Sequence, residues 1–207
     1  DETAMRVDDI IDQLFDLKDM DAVRQLTKAA VIRRIPRRRM LVREGEMQEY
    51  IDFVISGCLC GISQNCKGEK VVLCFCCRPG EAAMASFSME EPATASMIAL
   101  TDSHVLSIPL SLANHLVNSS VECLRIYNQL LQQALRRLVT TQIAVCRGSA
   151  MERYQWFQQE YPGLIEVVSN KYIASYLQMT NVTLSRLRRI ERESRQSSAQ
   201  PLLESSV

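Results

Sequence analysis

The chain has 207 residues, 47% hydrophobic and 23% charged, a composition that fits one or two globular domains and excludes a disordered or fibrous chain. Lys plus Arg and Asp plus Glu both number 24, so the formal net charge is zero and any affinity for a polyanion must be local. The zero conceals two basic clusters: Arg33, Arg34, Arg37, Arg38, Arg39 and Arg43 near the start, and Arg186, Arg188, Arg189, Arg192 and Arg195 near the end.

Residues 7–30 carry apolar side chains at Val7, Ile10, Ile11, Leu14, Leu17, Val23 and Leu26, a spacing that predicts short helices with a break near Asp19. From Ile35 to Pro109 the texture changes to short apolar or alternating runs separated by turn signals at Gly45, Gly57, Asn65 to Glu69, Pro79-Gly80 and Pro92. Seven or eight strands fit there, arranged as a sandwich or roll.

From about Ser111 a helical period returns. Val117, Leu124, Leu131, Leu138 and Val145 recur at an interval of seven, with Tyr127, Ala134 and Thr141 three residues after the second, third and fourth of them. One long helix is predicted. Its stripe either packs on the strand domain or forms a two-stranded dimer seam, and four full heptads favour the seam. Gly148 is expected to end this helix and begin a hinge.

The last segment predicts a helix around Met151 to Glu160, a break at Pro162-Gly163, a short strand at Leu164–Val168, and then two helices with a tight turn at Gln178 to Thr180. Ser169 or Asn170 caps the first of these helices. Ala174 supplies a small residue at the helix crossing, Met179 plugs the turn, and Leu184 and Leu187 face the core. This is helix-turn-helix arithmetic, against which stands a plain helical hairpin with a solvated basic face. On the first reading Asn181, Thr183, Ser185, Arg186, Arg188 and Arg189 are available to DNA.

Strand roll, long helix and terminal helix-turn-helix, in that order, resemble the Crp/Fnr family of bacterial transcription regulators. The resemblance rests on Arg43-Glu44-Gly45-Glu46, Phe53-Val54-Ile55-Ser56-Gly57, Pro79-Gly80-Glu81, Ile173-Ala174-Ser175-Tyr176-Leu177 and Thr183-Leu184-Ser185-Arg186. It implies an α+β protein in three parts. These are a double-stranded β-roll of the cyclic-nucleotide-binding type with N-terminal helices (1–110), a dimerisation helix (111–147), and a winged helix-turn-helix (148–207). It further implies a homodimer on double-stranded promoter DNA, with RNA polymerase as a partner if the protein is an activator.

Residue by residue, the resemblance makes Arg186 the base-contacting arginine, whose fork suits guanine O6 and N7. Asn181 and Val182 stand where many members carry Arg-Glu or Pro-Glu, so a different operator half-site is expected. Ser169, Thr180 and Thr183 are expected to touch phosphate or sugar, with Ser185, Arg188 and Arg189 completing the interface. Val117, Leu124, Tyr127, Leu131, Leu138 and Val145 are the expected dimer contacts.

The ligand site departs from the family. The ribose-binding Gly-Glu position reads Met84-Ala85, and the Arg-Ser/Thr-Ala position that holds a cyclic phosphate reads Ala93-Thr94-Ala95. An unpaired phosphate in an apolar pocket is costly, so the residues argue against cyclic AMP and leave the effector unassigned. Met84, Ala85, Thr94, Ala95 and Tyr127 are the expected pocket residues, and Met89 and Met97 join Met84 either there or in the core.

Eight cysteines match neither zinc-module spacing nor a small disulfide scaffold. A hairpin turning near Lys67-Gly68 with Cys60 opposite Cys74 would also set Cys58 opposite Cys76, clustering four thiols. They read as inert packing or as a metal or thiol sensor; no resident metal is expected. His104 and His115 have no cysteine pair nearby, and no nucleophile elbow, phosphate loop or carboxylate pair gives catalysis a home, so no enzyme is expected. No run approaches the roughly 18 apolar residues of a membrane span, and no signal-peptide pattern opens the chain, so a cytoplasmic protein without a membrane partner is expected. The rival class is an effector-binding or protein-interaction module whose helix-turn-helix does not bind DNA.

Overall fold

The computed structural model describes residues 6–86, 88 and 90–198. Two helices open it, α1 (Val7–Phe15) and α2 (Met20–Ala29). Asp16, left-handed at φ 45°, ends α1, and the Asp19 carboxylate starts α2 by accepting from the amides of Asp21 and Ala22, each at 3.1 Å. The break expected near Asp19 is therefore one helix cap running into the next.

Eight strands follow among the described residues: β1 (Val31–Ile35), β2 (Met40–Val42), β3 (Tyr50–Ser56), β4 (Leu59–Gln64), β5 (Lys70–Cys76), β6 (Ala82–Ala83), β7 (Ser96–Ala99) and β8 (Ser103–Pro109). They form two four-stranded antiparallel sheets, β1-β8-β3-β6 and β2-β7-β4-β5, which make up the expected roll. Side chains alternate with period two, so each strand of the first sheet serves two cores. Val54, Ala83 and Val105 face inward against Leu59, Met97 and Ala99 of the second sheet. Ile51, Phe53, Leu106 and Ile108 face outward and are covered by Ile10, Ile11, Ala22 and Leu26 of the two helices. Each such fully buried aliphatic or aromatic side chain contributes about 1.5–3 kcal/mol. Gly57 closes the β3–β4 turn at φ +92°, where a Cβ would lie 2.2 Å from Ser103 Oγ and 2.7 Å from the Asp102 carbonyl oxygen, so only glycine fits.

The single long helix expected from Ser111 is in fact two, α3 (Leu110–Ser119) and α4 (Val121–Arg147). Ser120 between them is extended, at φ −120° and ψ 121°. Its hydroxyl donates to Asp19 Oδ2 at 2.6 Å, while Glu122 Oε2 accepts from the amides of Lys18 at 2.9 Å and Asp19 at 2.7 Å. The break is thus imposed by a tertiary contact with the α1–α2 junction, which no periodicity along residues 111–147 could reveal.

The chain divides into two compact units, Asp1–Val139 and Thr140–Val207. Beyond the end of α4, the second unit holds α5 (Ala150–Glu160), α6 (Leu164–Val167), α7 (Asn170–Tyr176) and α8 (Asn181–Ser198). A capping box starts α5: Glu152 Oε2 accepts from the Ser149 amide at 2.6 Å and Ser149 Oγ accepts from the Glu152 amide at 3.3 Å. The strand expected at Leu164–Val168 is the short helix α6. Leu164, Ile165 and Val168 are buried while Val167 is exposed, which is helical rather than alternating burial. The second unit contains no strand among its described residues, so the expected wing is not found there. Its core is aromatic: the Phe157 and Tyr161 ring centroids lie 5.1 Å apart, and those of Trp156 and Tyr176 6.3 Å.

Candidate functional site

Helices α7 and α8 meet through Ile173, Ala174 and Leu177 on one side and Leu184 and Leu187 on the other, all buried. Gln178 turns the chain at φ 51°, and the Met179 amide donates to the Ala174 carbonyl at 2.9 Å. Met179 is half-buried in that turn. Thr180 Oγ1 accepts from the Thr183 amide at 3.1 Å and so caps α8. With the apolar side fixed inward, the helical period leaves Asn181, Val182, Ser185, Arg186 and Arg189 exposed on the other side of α8, with Thr183 half-buried between the two. Ser169 stands exposed at the N-cap of α7 with no side-chain capping bond.

The basic residues of α8 differ in their commitments. Arg186 has no hydrogen bond or ion pair among the described residues, and Arg189 Nε lies 3.7 Å from Glu193 Oε1 in a pair exposed on both sides. Arg188 corrects the expectation that it is available to DNA. Its side chain is only 18% exposed, donates to Asn170 Oδ1 at 2.7 Å, and lies 3.4 Å from Glu166 Oε1. Glu191 accepts from Tyr154 Oη at 2.6 Å, a tie between α5 and α8 that the sequence did not suggest.

In the roll, the two departed motif positions do meet. The Ala85 carbonyl accepts the Thr94 amide at 2.7 Å and its hydroxyl at 3.0 Å, and the Ala95 amide at 3.3 Å. Ala85 and Ala95 are buried, and Thr94 is exposed. Met84, an expected pocket residue, is one position out of phase with Ala83 and Ala85 and packs on the helix-side core; Met97, read as pocket or core, belongs to the roll core and also borders a cavity there. Tyr127 lines, with Val117, Phe53 and Leu116, an apolar cavity of about 70 Å³ between the first sheet and the helices. Met89 and the side chain of Arg195 lie outside the described residues.

The polar end of the roll interior escaped the sequence reading. Asp52, 3% exposed, accepts from Arg33 at 2.8 Å and from the Ser107 hydroxyl, and the Arg33 guanidinium sits 4.7 Å from the centroid of the Tyr50 ring. Arg33, Tyr50 and Asp52 border a cavity of about 310 Å³ that Gln48 also lines. Arg33 is therefore tied to a buried carboxylate, with its own side chain 37% exposed. Strand alternation on β1, β3 and β8 brings Arg33, Asp52 and Ser107 to one face, but their mutual choice of partners is tertiary. Gln48 Oε1 accepts from the Ala85 amide at 3.0 Å and its amide donates to the Ala83 carbonyl at 3.0 Å, tying this end to the motif segment.

The four-thiol cluster is corrected as well. The register is Leu59↔Cys76, Cys60↔Phe75 and Gly61↔Cys74, one residue away from the expected pairing. Cys74 and Cys76 consequently face the roll core, while Cys58 and Cys60 project from the other face of the sheet. Among the described residues no group of three or more His, Cys, Asp or Glu side chains is placed to hold a metal ion.

Helix α4 leaves apolar side chains in solvent: Leu124 and Leu131 are each 43% exposed, Leu135 61% and Leu138 65%. Their spacing of seven, four and three is a coiled-coil seam. The expected seam placed its second position three residues after each leucine, at Tyr127, Ala134 and Thr141. Ala134 is exposed, whereas the fold itself engages Tyr127 in the apolar cavity and Thr141 in a 2.8 Å hydrogen bond to Tyr176 Oη. The exposed second position falls four residues after Leu131, at Leu135. Val117 lies on α3 and Val145 is 5% exposed, so neither continues the exposed stripe.

Two four-stranded antiparallel sheets are followed, after the long helix, by two helices joined in a tight turn, and comparison with known proteins finds the same arrangement elsewhere. Residues 32–120 match the family described as the cyclic nucleotide-binding domain. Over 86% of its length the chain has the fold of the Crp/Fnr transcription regulators. FixK2 from Bradyrhizobium japonicum is 19% identical with a TM-score of 0.71, over 86% of this chain and 90% of that one. A protein from Eubacterium rectale assigned to the Crp/Fnr family of transcriptional regulators is 13% identical, with a TM-score of 0.68 over 86% and 85%. The c-di-GMP responsive global regulator CLP from Xanthomonas campestris is 16% identical, with a TM-score of 0.63 over 85% and 93%. At these identities the likeness is one of fold. Comparison with curated protein sequences returns no relative. The named neighbours are regulators rather than enzymes, and no helix among the described residues is long and apolar enough to cross a membrane.

Proposed function

We propose that the protein is a homodimeric, sequence-specific DNA-binding transcription regulator of the cytoplasm, controlled by an effector in the roll. The observation that carries this reading is the solvent face of α8. Asn181, Ser185, Arg186 and Arg189 stand exposed on a helix whose opposite side, Leu184 and Leu187, is locked onto α7. A rigid helix with its first turns bare and a free guanidinium suits base edges in a major groove. Thr180 and Thr183 stand at the start of that helix and Ser169 at the start of the one before it, where hydroxyls meet phosphates. The exposed leucines of α4 support pairing with a second copy, which would double one short basic face on a pseudo-palindromic promoter site. RNA polymerase is a further partner if the protein activates.

On this reading the effector is other than cyclic AMP, a reading that rests on the residues of the motif segment. The motif segment offers Ala85, Thr94 and Ala95 and no cation, so a cyclic phosphate would be desolvated without a partner.

Fluorescence titration of the full chain on double-stranded DNA selected from a random pool, at two salt concentrations, tests the DNA role. The expected result is selection of a two-fold symmetric site with affinity falling steeply with salt. Failure to enrich any sequence, with no salt-dependent binding, identifies instead an effector or interaction module. Calorimetric titration with cyclic AMP should give no binding.

A further inference from the structure

The pairing of β4 with β5 has an outermost step just beyond both strands. Leu59 is opposite Cys76, so one residue further out Cys58 is opposite Cys77. The backbone groups of Cys58 point to the other side of its strand: its amide donates to Thr101 Oγ1 at 2.9 Å and Ser103 Oγ at 3.2 Å, and its carbonyl accepts the Leu100 amide at 2.8 Å. The Cys77 amide donates to Glu81 Oε2 at 2.8 Å. Cys58 and Cys77 are thus a non-hydrogen-bonded cross-strand pair, in which Cα atoms lie about 4.5 Å apart and side chains approach most closely. That separation falls inside the roughly 4.4–6.8 Å range that a disulfide spans.

The pair is asymmetric. Cys77 is half-buried, whereas Cys58 is buried. The hydrogen bond from Cys58 holds the Cys77 thiol below its ordinary value, with Arg78 and Arg137 assisting against burial and the Glu81 charge. The same contact, together with burial, pushes Cys58 up. Cys77 is therefore the reachable, thiolate-forming member, and Cys58 is the protonated partner behind it. Cys74 and Cys76 are less suited: two residues apart on one strand face, their Cβ atoms are separated by about 6.6 Å, against the roughly 3.5–4.5 Å a disulfide needs.

We propose that Cys58 and Cys77 form a redox site that closes to an intramolecular disulfide on reaction with a low-molecular-weight disulfide such as oxidised glutathione. The Cys77 thiolate attacks one glutathione sulfur, forming a mixed disulfide and expelling a glutathione thiolate that takes up a proton. Cys58 then gives up its proton and attacks the Cys77 sulfur, forming the protein disulfide and expelling the second glutathione, which is protonated in turn. The two protein thiols are oxidised by two electrons, and one glutathione disulfide is reduced to two thiols. The site is wired to the helical layer: Glu81, which accepts the Cys77 amide, also takes the guanidinium of Arg137 on α4.

Reduced full-length protein is incubated with oxidised glutathione, quenched in acid, alkylated, digested and mapped by mass spectrometry. The expected result is the loss of two alkylatable thiols per chain from the pair, and a cross-linked peptide assigned by fragmentation to Cys58 and Cys77. Exposed Cys66 and Cys146 should carry only glutathione adducts. In Cys58→Ser the cross-link should vanish and Cys77 should retain a stable glutathione adduct. A cross-link between Cys74 and Cys76, a persistent adduct on Cys77 of the wild-type chain, or complete alkylation of both Cys58 and Cys77 after oxidant treatment would each overturn the proposal. The wild-type map alone decides it, whether or not the variant folds.

Discussion

The Arg188 guanidinium donates to Asn170 Oδ1 at 2.7 Å, joining the second helix of the helix-turn-helix to the first across eighteen residues of sequence. One of the four arginines between 186 and 192 is therefore a structural clamp rather than a phosphate contact. Arg188→Ala should lower stability by about 1–2 kcal/mol, the range for a lost hydrogen bond to a charged group at a half-buried site. Arg186→Ala should leave the melting temperature nearly unchanged, weaken binding to the selected operator by about 1–3 kcal/mol and relax specificity at one position. Thermal unfolding and DNA titration of both variants check the pair. An Arg188→Ala protein with wild-type stability and weakened DNA binding would reverse the two roles.

Arg189 is exposed and carries only a surface ion pair with Glu193, worth little by itself. Arg189→Ala should weaken specific and non-specific DNA alike and reduce the slope of log affinity against log salt by about one, since it removes a phosphate contact and no base contact. Titrations on operator and unrelated duplex across a salt series give both numbers.

On α4 the exposed leucines and the buried valine should separate association from folding. Leu135→Glu and Leu138→Glu place a charge at positions 61% and 65% exposed in the single chain, so each should leave the fold intact and yield monomers in sedimentation. Val145→Ala removes two buried methyl groups and should cost about 1.5–3 kcal/mol of stability while the dimer persists. Dimers of Leu135→Glu that sediment as wild type would place the seam elsewhere.

Asp19 should make the α1–α2 junction sensitive to acid. The Ser120 hydroxyl, followed by the amides of Ala22 and Asp21, holds its carboxyl below the ordinary value of 3.8. Because the folded value is depressed, the stabilisation is complete above the ordinary value and disappears as pH falls through the lower folded one. Asp19→Asn, which still offers an oxygen to the cap, should show a shallower fall of melting temperature with pH below about 4 than the wild type. Parallel slopes for the two proteins would remove Asp19 from the acid response.

Much of the fold was legible because its signals are local. The alternation and turn residues between Ile35 and Pro109 gave a roll, and Ala174, Leu177, Leu184 and Leu187 gave two helices with a tight turn. The errors came where a choice depends on a partner distant in sequence. Leu164 to Val168 is short and apolar throughout, so period alone could not separate strand from helix; burial of Leu164, Ile165 and Val168 did. Ser120 gives no breaker signal, and its extended backbone follows from Asp19, 101 residues away. The Arg33, Asp52 and Ser107 trio comes from three strands, and no one of them advertises the others.

The sequence by itself determined the succession of N-terminal helices, strand roll, long helical stretch and helix-turn-helix, and the basic character of α8, since periodicity and turn chemistry act within a few residues of one another. Only the tertiary structure decided which groups remain free. A one-residue register shift divided the expected thiol cluster between two faces and left Cys58 and Cys77 each one step beyond the Leu59–Cys76 pair. The packing of the first unit consumed the Tyr127 side of α4 and left Leu135 exposed, and Asn170 captured Arg188 while leaving Arg186 bare. The balance of 24 positive against 24 negative charges gave no hint of that selection, because a count of charges records neither their partners nor their exposure.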